Sequence, residues 1–248
     1  MLDNIQLIPV NQMIFYKKYE KQKVNELINS IATEKTLYNP VLAMITKENQ
    51  YLILDGTHRV FALENLRCIN IPLQFVNESN VKINSWLHQI PKNEELFKKI
   101  QNNPNIYCSD VCLNNLRYVA KMSVDKKTYY LYSTNAFNTQ FNHLFFTLNT
   151  LVKTYRNNSF FTKLTKEEYT CNSSHITFEF MEFSIEEILE SIQILESIQI
   201  NDFILSDVIR FTLNCERIQN IRIPLHVIRS PEVFECEWKA LLNGKVLR

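Results

Sequence analysis

Only two glycines, Gly56 and Gly244, occur in the 248 residues of this chain. Almost nowhere, then, does the backbone hold the residue that adopts a positive φ at no steric cost and lets another group approach closely. Gly56 is kept in Leu52-Ile53-Leu54-Asp55-Gly56-Thr57-His58-Arg59, between a strand-like apolar run and a helix-like run. If Leu52–Leu54 is a strand and Thr57 opens a helix, the N–H groups of Gly56, Thr57 and His58 point out of a helix N-terminus. Unpaired donors and the helix dipole favour phosphate there. Arg59 adds a planar bidentate donor. His58 adds a hydrogen bond and a titration near neutral pH, and Asp55 a hard carboxylate oxygen suited to Mg²⁺ or to a substrate hydroxyl. The same residues equally describe a turn in which Asp55 caps the helix while His58 and Arg59 are solvated.

The chain is long enough for one large domain or two small ones. A net charge of +1 argues against bulk attraction to nucleic acid or to a membrane surface. No run approaches the ~18 apolar residues of a membrane span, and residues 1–6 lack the basic and apolar regions of a secretory signal. Six cysteines, at 68, 108, 112, 171, 215 and 236, are too scattered for a disulfide framework. A cytoplasmic protein with reduced thiols is expected.

Hydrophobic patterning predicts strands over Ile5–Val10, Val41–Ile45, Tyr51–Leu54 and Ile69–Val76. Helix faces are predicted from Val24, Leu27, Ile28 and Ile31, and from Val60, Phe61, Leu63 and Leu66. These make a compact mixed α/β unit. Asn102-Asn103-Pro104-Asn105 is a strong loop signal. Beyond it, Lys127–Tyr132 reads as a strand and Phe141–Tyr155 as an aromatic-rich helix. Ser184-Ile185-Glu186-Glu187 has the form of a capping box with Phe183 as a hydrophobic staple, opening a helix that carries the duplication Ile188–Gln193 and Ile194–Gln199. Val208–Leu213 and Ile221–Ile228 read as strands.

Asp-Gly-x-His-Arg after an apolar strand, followed by a short helix and the strand Ile71-Pro72-Leu73, resembles the ParB/sulfiredoxin fold. More narrowly, the chain resembles the ParB-like free L-serine kinases of siderophore pathways. The likeness also runs through Leu7-Ile8-Pro9-Val10, Asn39-Pro40-Val41-Leu42, Ile83–Pro91 with Trp86 and His88, Ile209-Arg210-Phe211 and Ile223-Pro224-Leu225. It implies an α+β protein, with a ParB/sulfiredoxin-like nucleotide-binding domain over 1–92 and a mixed α/β domain over 93–248 contributing to the substrate site. The implied activity is transfer of a phosphoryl group from ATP or ADP, with Mg²⁺, to the hydroxyl of free L-serine or a similar amino acid, giving O-phosphoserine. Asp55, Gly56, Thr57, His58 and Arg59 would hold the nucleotide phosphates, Asp55 being the metal ligand. Asp55, His58, Arg59 and Glu20 would serve catalysis. Trp86, His88 and Arg210 would hold the amino acid, Arg210 through its carboxylate. Partners would be the nucleotide, the amino acid and at most a second copy of the chain in a homodimer; nucleic acid and membrane are not expected.

Two positions depart from the family pattern. Lys17 stands where these kinases place a Glu that activates the serine hydroxyl, and Glu20, three residues on, is the nearest carboxylate to substitute for it. Ile209 stands where a Thr precedes Arg-Phe. A degenerate relative that binds nucleotide and regulates DNA or a partner is therefore the second reading, and a ParB-type partition protein the third. Cys108-x-x-x-Cys112 with His143 or His175 lacks a second ligand pair of zinc spacing, and Phe141, Phe145, Phe146 and Leu148 suit a core better than a cofactor box.

Overall fold

The computed structural model describes residues 4–135, 140–156, 160–170, 172–197, 205–218 and 221–244. The chain is α+β and divides into two compact units, residues 1–82 with 211–248, and residues 83–210.

The first unit opens with β1 (Ile5–Pro9), β2 (Met13–Phe15), α1 (Lys21–Glu34), β3 (Thr36–Tyr38), β4 (Val41–Ile45), β5 (Tyr51–Asp55), α2 (Thr57–Asn65) and β6 (Asn70–Phe75). Five strands form one sheet in the order β1-β6-β4-β5-β2. β1 runs antiparallel to β6 and β4 antiparallel to β5, whereas β4/β6 and β2/β5 are parallel. The central strand β4 buries Val41, Leu42, Ala43 and Met44 in succession, the continuous apolar run of a strand covered on both faces. α1 buries Val24 and Ile31, seven residues apart on one stripe, as the sequence periodicity requires.

The chain continues through β7 (Val81–Ser85), β8 (Leu87–Pro91), α3 (Glu94–Gln101), β9 (Ile106–Ser109), β10 (Ala120–Val124), β11 (Lys127–Ser133), α4 (Phe141–Arg156), β12 (Thr162–Leu164), β13 (His175–Phe180), α5 (Ile185–Ser197), α6 (Leu205–Val208) and β14 (Ile209–Leu213). Within the second unit an antiparallel sheet runs β12-β8-β13-β10-β11-β9. α4 buries Leu144, Phe145, Leu148, Leu151, Val152 and Tyr155, so Phe145 and Leu148 are core as expected, whereas Phe141 is half-buried and Phe146 is exposed. The capping box forms: Glu187 N–H donates to Ser184 Oγ at 3.2 Å, and Ser184 N–H donates to Glu187 Oε2 at 3.0 Å. The last two residues of the duplication, 198 and 199, lie outside the described residues.

The tail returns to the first unit as β15 (Arg222–Pro224), α7 (Leu225–Arg229) and α8 (Glu235–Leu242). β15 pairs with β3, and Ile223, Leu225, Ile228 and Leu241 join Val41, Ile53, Leu63 and Leu73 in one core. The units therefore differ from a division at 92/93, because the first unit is completed by apolar residues far along the chain. Asn102–Asn105 is a connection within the second unit rather than a boundary. Ile221–Ile228 is also not one strand. Pro224 ends the ladder and caps α7 with extended dihedrals, φ −62° and ψ 135°.

Candidate functional site

β5 delivers Asp55 to the Gly56 turn, and α2 starts at Thr57. Gly56 has φ +100°, the left-handed region that disfavours any side chain. Close approach adds a second demand: a Cβ there would lie 2.9 Å from Arg59 Nη2. The turn leaves the first N–H groups of α2 without a side-chain cap from the N-cap residue. Thr57 offers only such a backbone group, since its side chain is buried and its Oγ1 has no hydrogen-bond partner among the described residues.

Arg59 is not a solvated donor. Its Nη1 donates to Asn39 O at 2.7 Å and to Pro40 O at 2.6 Å, while Nη2 donates to Asp55 Oδ2 at 3.2 Å. The guanidinium thus clamps the β3–β4 loop to the turn, and burial makes it somewhat easier to deprotonate than a free arginine. Asp55 Oδ2 also accepts from Arg217 Nη1, at 3.4 Å. The observed partners of the Asp55 carboxylate are guanidinium groups, not helix N–H groups. Asn39, Pro40, Leu42, Asp55, Arg59, Arg217 and Ile218 line a cavity of about 300 Å³ within the first unit.

His58 Nε2 accepts the N–H of Glu20, the N-cap of α1, at 3.0 Å. That bond requires an unprotonated Nε2, and burial, the largest influence, holds the ring below the usual histidine range. Glu20 meets His58 through its backbone. Its carboxylate binds Lys23 Nζ at 2.6 Å in an exposed pair, which lowers its pKa. Lys17 Nζ lies 5.3 Å from the centre of the Tyr16 ring, and its charge acts on His58. Tyr16 is buried and held protonated, first by burial and then by the charge of Asp55. Asp55, Gly56, His58, Arg59, Glu20 and Lys17 are thus gathered around one turn.

Comparisons with known proteins cover the start of this unit by sequence and nearly the whole chain by fold. The ParB N-terminal domain family matches residues 2–86. The ATP-dependent L-serine kinase SbnI of Staphylococcus aureus is 26% identical to the chain over 89 residues, 36% of this chain and 35% of that protein. The matched stretch therefore spans about a third of that relative's length. Among solved structures, SbnI with a C-terminal truncation from Staphylococcus aureus covers 98% of this chain and 97% of its own at TM-score 0.77 and 18% identity. A free serine kinase in complex with AMP covers 91% of this chain and 93% of its own at TM-score 0.55 and 14% identity. A mutant free serine kinase in complex with ADP covers 91% and 94% at TM-score 0.58 and 14% identity. At these identities the shared property is the fold alone.

In the second unit, the Arg210 guanidinium stacks over the Trp86 ring, 4.9 Å from its centre, and Trp86 N–H donates to Val208 O at 2.8 Å. The structure gives His88 a role other than the substrate contact expected from the ParB-like resemblance. His88 is fully buried among Tyr155, Phe161 and Phe180. Its Nε2 lies 2.7 Å from Asp207 O, a group that can only accept, so Nε2 carries the proton. Nδ1 then accepts from the Tyr155 hydroxyl at 2.6 Å. Both ring nitrogens are used, and His88 is a core histidine.

Burial pushes the His88 ring down to about 4. The unfolded chain then binds a proton that the folded one refuses between about pH 6.5 and 4, so stability is full above that range and falls as pH drops through it. The loss attributable to this group approaches about 3 kcal/mol. Urea unfolding at pH 7 and pH 4.5 should show this fall in the wild type and a clearly smaller one in His88→Asn. Equal pH dependence in both proteins would refute the assignment.

Sequence reasoning missed Arg217 and Tyr16. Tyr16 could have been flagged as an aromatic directly before Lys17. Arg217 had no motif around it, and only its place in a polar stretch beyond Leu213 hinted at a loop.

Proposed function

We propose that this protein transfers a phosphoryl group from ATP or ADP to the hydroxyl of free L-serine, giving O-phosphoserine for siderophore or related specialised synthesis. The observation that carries the reading is the cavity beside the Gly56 turn. One carboxylate and two guanidinium groups line a space of about 300 Å³ there, and the uncapped start of α2 follows Asp55 and Gly56 directly in the chain. Such a site suits phosphoryl transfer, which asks the protein mainly for positioning and charge neutralisation. The relative SbnI, named an ATP-dependent L-serine kinase, and the free serine kinases with bound AMP or ADP support the substrate class.

The residues fit a Mg²⁺–nucleotide. Among the described residues no three His, Cys, Asp or Glu side chains cluster as a metal site. A Mg²⁺ ion would therefore take Asp55 together with phosphate oxygens and water, a usual ligand set for that ion, and would neutralise phosphate charge. The N–H groups at Gly56 and Thr57 hold phosphate oxygens, and Arg59 keeps the β3–β4 loop in place around them. His58, neutral, ties α1 to the turn through Glu20 N–H. Trp86 and Arg210 are the pair proposed for the serine carboxylate. A cytoplasmic setting suits the five described cysteines, all free thiols.

Lys17 favours the second reading, a nucleotide-binding regulator, because an ammonium in the expected place of the base cannot accept the serine proton. One assay separates the two. With Mg²⁺, L-serine and ATP or ADP, mass spectrometry should detect O-phosphoserine with at least one nucleotide. Lys17→Glu should raise turnover about tenfold or more. Nucleotide binding without product from serine or any other hydroxy amino acid would establish the regulator instead.

A further inference from the structure

Two guanidinium groups share the Asp55 carboxylate, and their surroundings differ. Arg59 is 18% exposed and holds two backbone carbonyls besides Asp55. Arg217 is 48% exposed, and its contact with Asp55 is long at 3.4 Å. Its backbone, by contrast, is held closely. Gln74 is buried, and its amide grips both neighbours of position 217: Nε2 donates to Glu216 O at 2.8 Å and Oε1 accepts Ile218 N–H at 3.0 Å. The start of the same loop is fixed by Asn214 N–H donating to Asn80 O at 2.8 Å. One buried side chain thus pins the main chain on either side of an arginine whose own side chain stays loosely engaged. That combination suits a group that changes partner.

Arg217 also lies where two cavities meet. With Ile218 it lines both the 300 Å³ cavity at Asp55 and a second of about 580 Å³. Five of the residues lining the second carry neutral amides, Asn4, Gln74, Asn77, Asn80 and Asn214, and Glu216 lines it too. Amides supply donors and acceptors for an uncharged polar heterocycle, whereas the Asp55 side supplies cationic groups for an anion. A ligand neutral at one end and anionic at the other, as a nucleoside diphosphate is, would pass Arg217 at the junction.

We infer that Arg217 is a phosphate-binding residue of this site: a nucleotide phosphate takes over its guanidinium from Asp55, and Asp55 keeps Arg59. The inference rests on the nucleotide reading given above. Arg59, committed to Asn39 and Pro40, then positions the turn, and Arg217 supplies the charge-assisted contact to the ligand.

Titration of the full chain with Mg·ADP tests this. Wild type should bind, Arg217→Ala should bind about tenfold or more weakly, and Arg217→Lys should fall between them. The thermal midpoint of Arg217→Ala should stay at the wild-type value, because Gln74 grips the backbone and not the side chain. Unchanged ADP affinity in Arg217→Ala overturns the inference and leaves the nucleotide reading standing. A drop in midpoint matching the loss of affinity overturns it too, assigning Arg217 to the loop's structure. No ADP or ATP binding by the wild type would overturn the nucleotide reading itself.

Discussion

Asp55→Asn should lower the rate of O-phosphoserine formation by about 10²- to 10³-fold while the protein stays folded. The substitution keeps the shape of the side chain and removes its charge. Asp55 sits where β5 ends, opposite two guanidinium groups, and among the described residues it is the carboxylate that lines the cavity beside the Gly56 turn. An amide there still accepts a hydrogen bond from Arg59, and Arg59 retains its bonds to Asn39 O and Pro40 O. Folding should therefore lose only about 1–2 kcal/mol, less than the loss for a fully buried ion pair, because Asp55 is partly exposed. Binding of a divalent cation with the nucleotide has no such substitute, since an amide oxygen is a far weaker ligand for Mg²⁺. Rate and thermal midpoint measured together separate the two effects. A full rate in Asp55→Asn would remove the carboxylate from the chemistry.

The parts of this architecture visible in the sequence are those set by nearby residues. Val41–Ile45 reads as a strand because an unbroken apolar run is what a strand buried on both faces presents. α1 is visible through Val24 and Ile31, and α5 through Ser184 and Glu187, whose mutual bonds span three residues. Gly56 stands out because glycine is so scarce elsewhere. What stayed hidden depends on partners far apart in the chain. His88 looks like a site histidine until Tyr155 and the carbonyl of Asp207 are placed against its two nitrogens. Arg217 acquires meaning only through Gln74, more than 140 residues earlier. Arg59 reads as a phosphate ligand from its motif, yet two carbonyls from the β3–β4 loop turn it into a clamp. Local pattern thus finds the turn, and long-range packing decides what each side chain around it does.

Gly56→Ala tests that clamp most severely. At φ +100° an alanine carries the strain of the left-handed region, about 1–2 kcal/mol. Its Cβ would also stand 2.9 Å from Arg59 Nη2, 3.0 Å from Cζ and 3.1 Å from Nε. An arginine tip free in solvent would swing aside at little cost. This one is bonded to Asn39 O, Pro40 O and Asp55 Oδ2, so moving it breaks bonds that hold the loop and orient the carboxylate. The total loss should reach about 3 kcal/mol, with a fall in thermal midpoint of roughly 6–12 °C. Mg·ADP affinity should drop with it, because the displaced guanidinium enters the cavity that the phosphates need. A double-mutant cycle isolates the cause. In an Arg59→Ala background the steric contact no longer exists, so Gly56→Ala should there cost only its backbone strain, and the loss in the double mutant should fall short of the sum of the two single losses by more than about 1 kcal/mol. Strict additivity would mean that the glycine is required by its backbone angle alone and that the close approach of Arg59 imposes nothing on the turn.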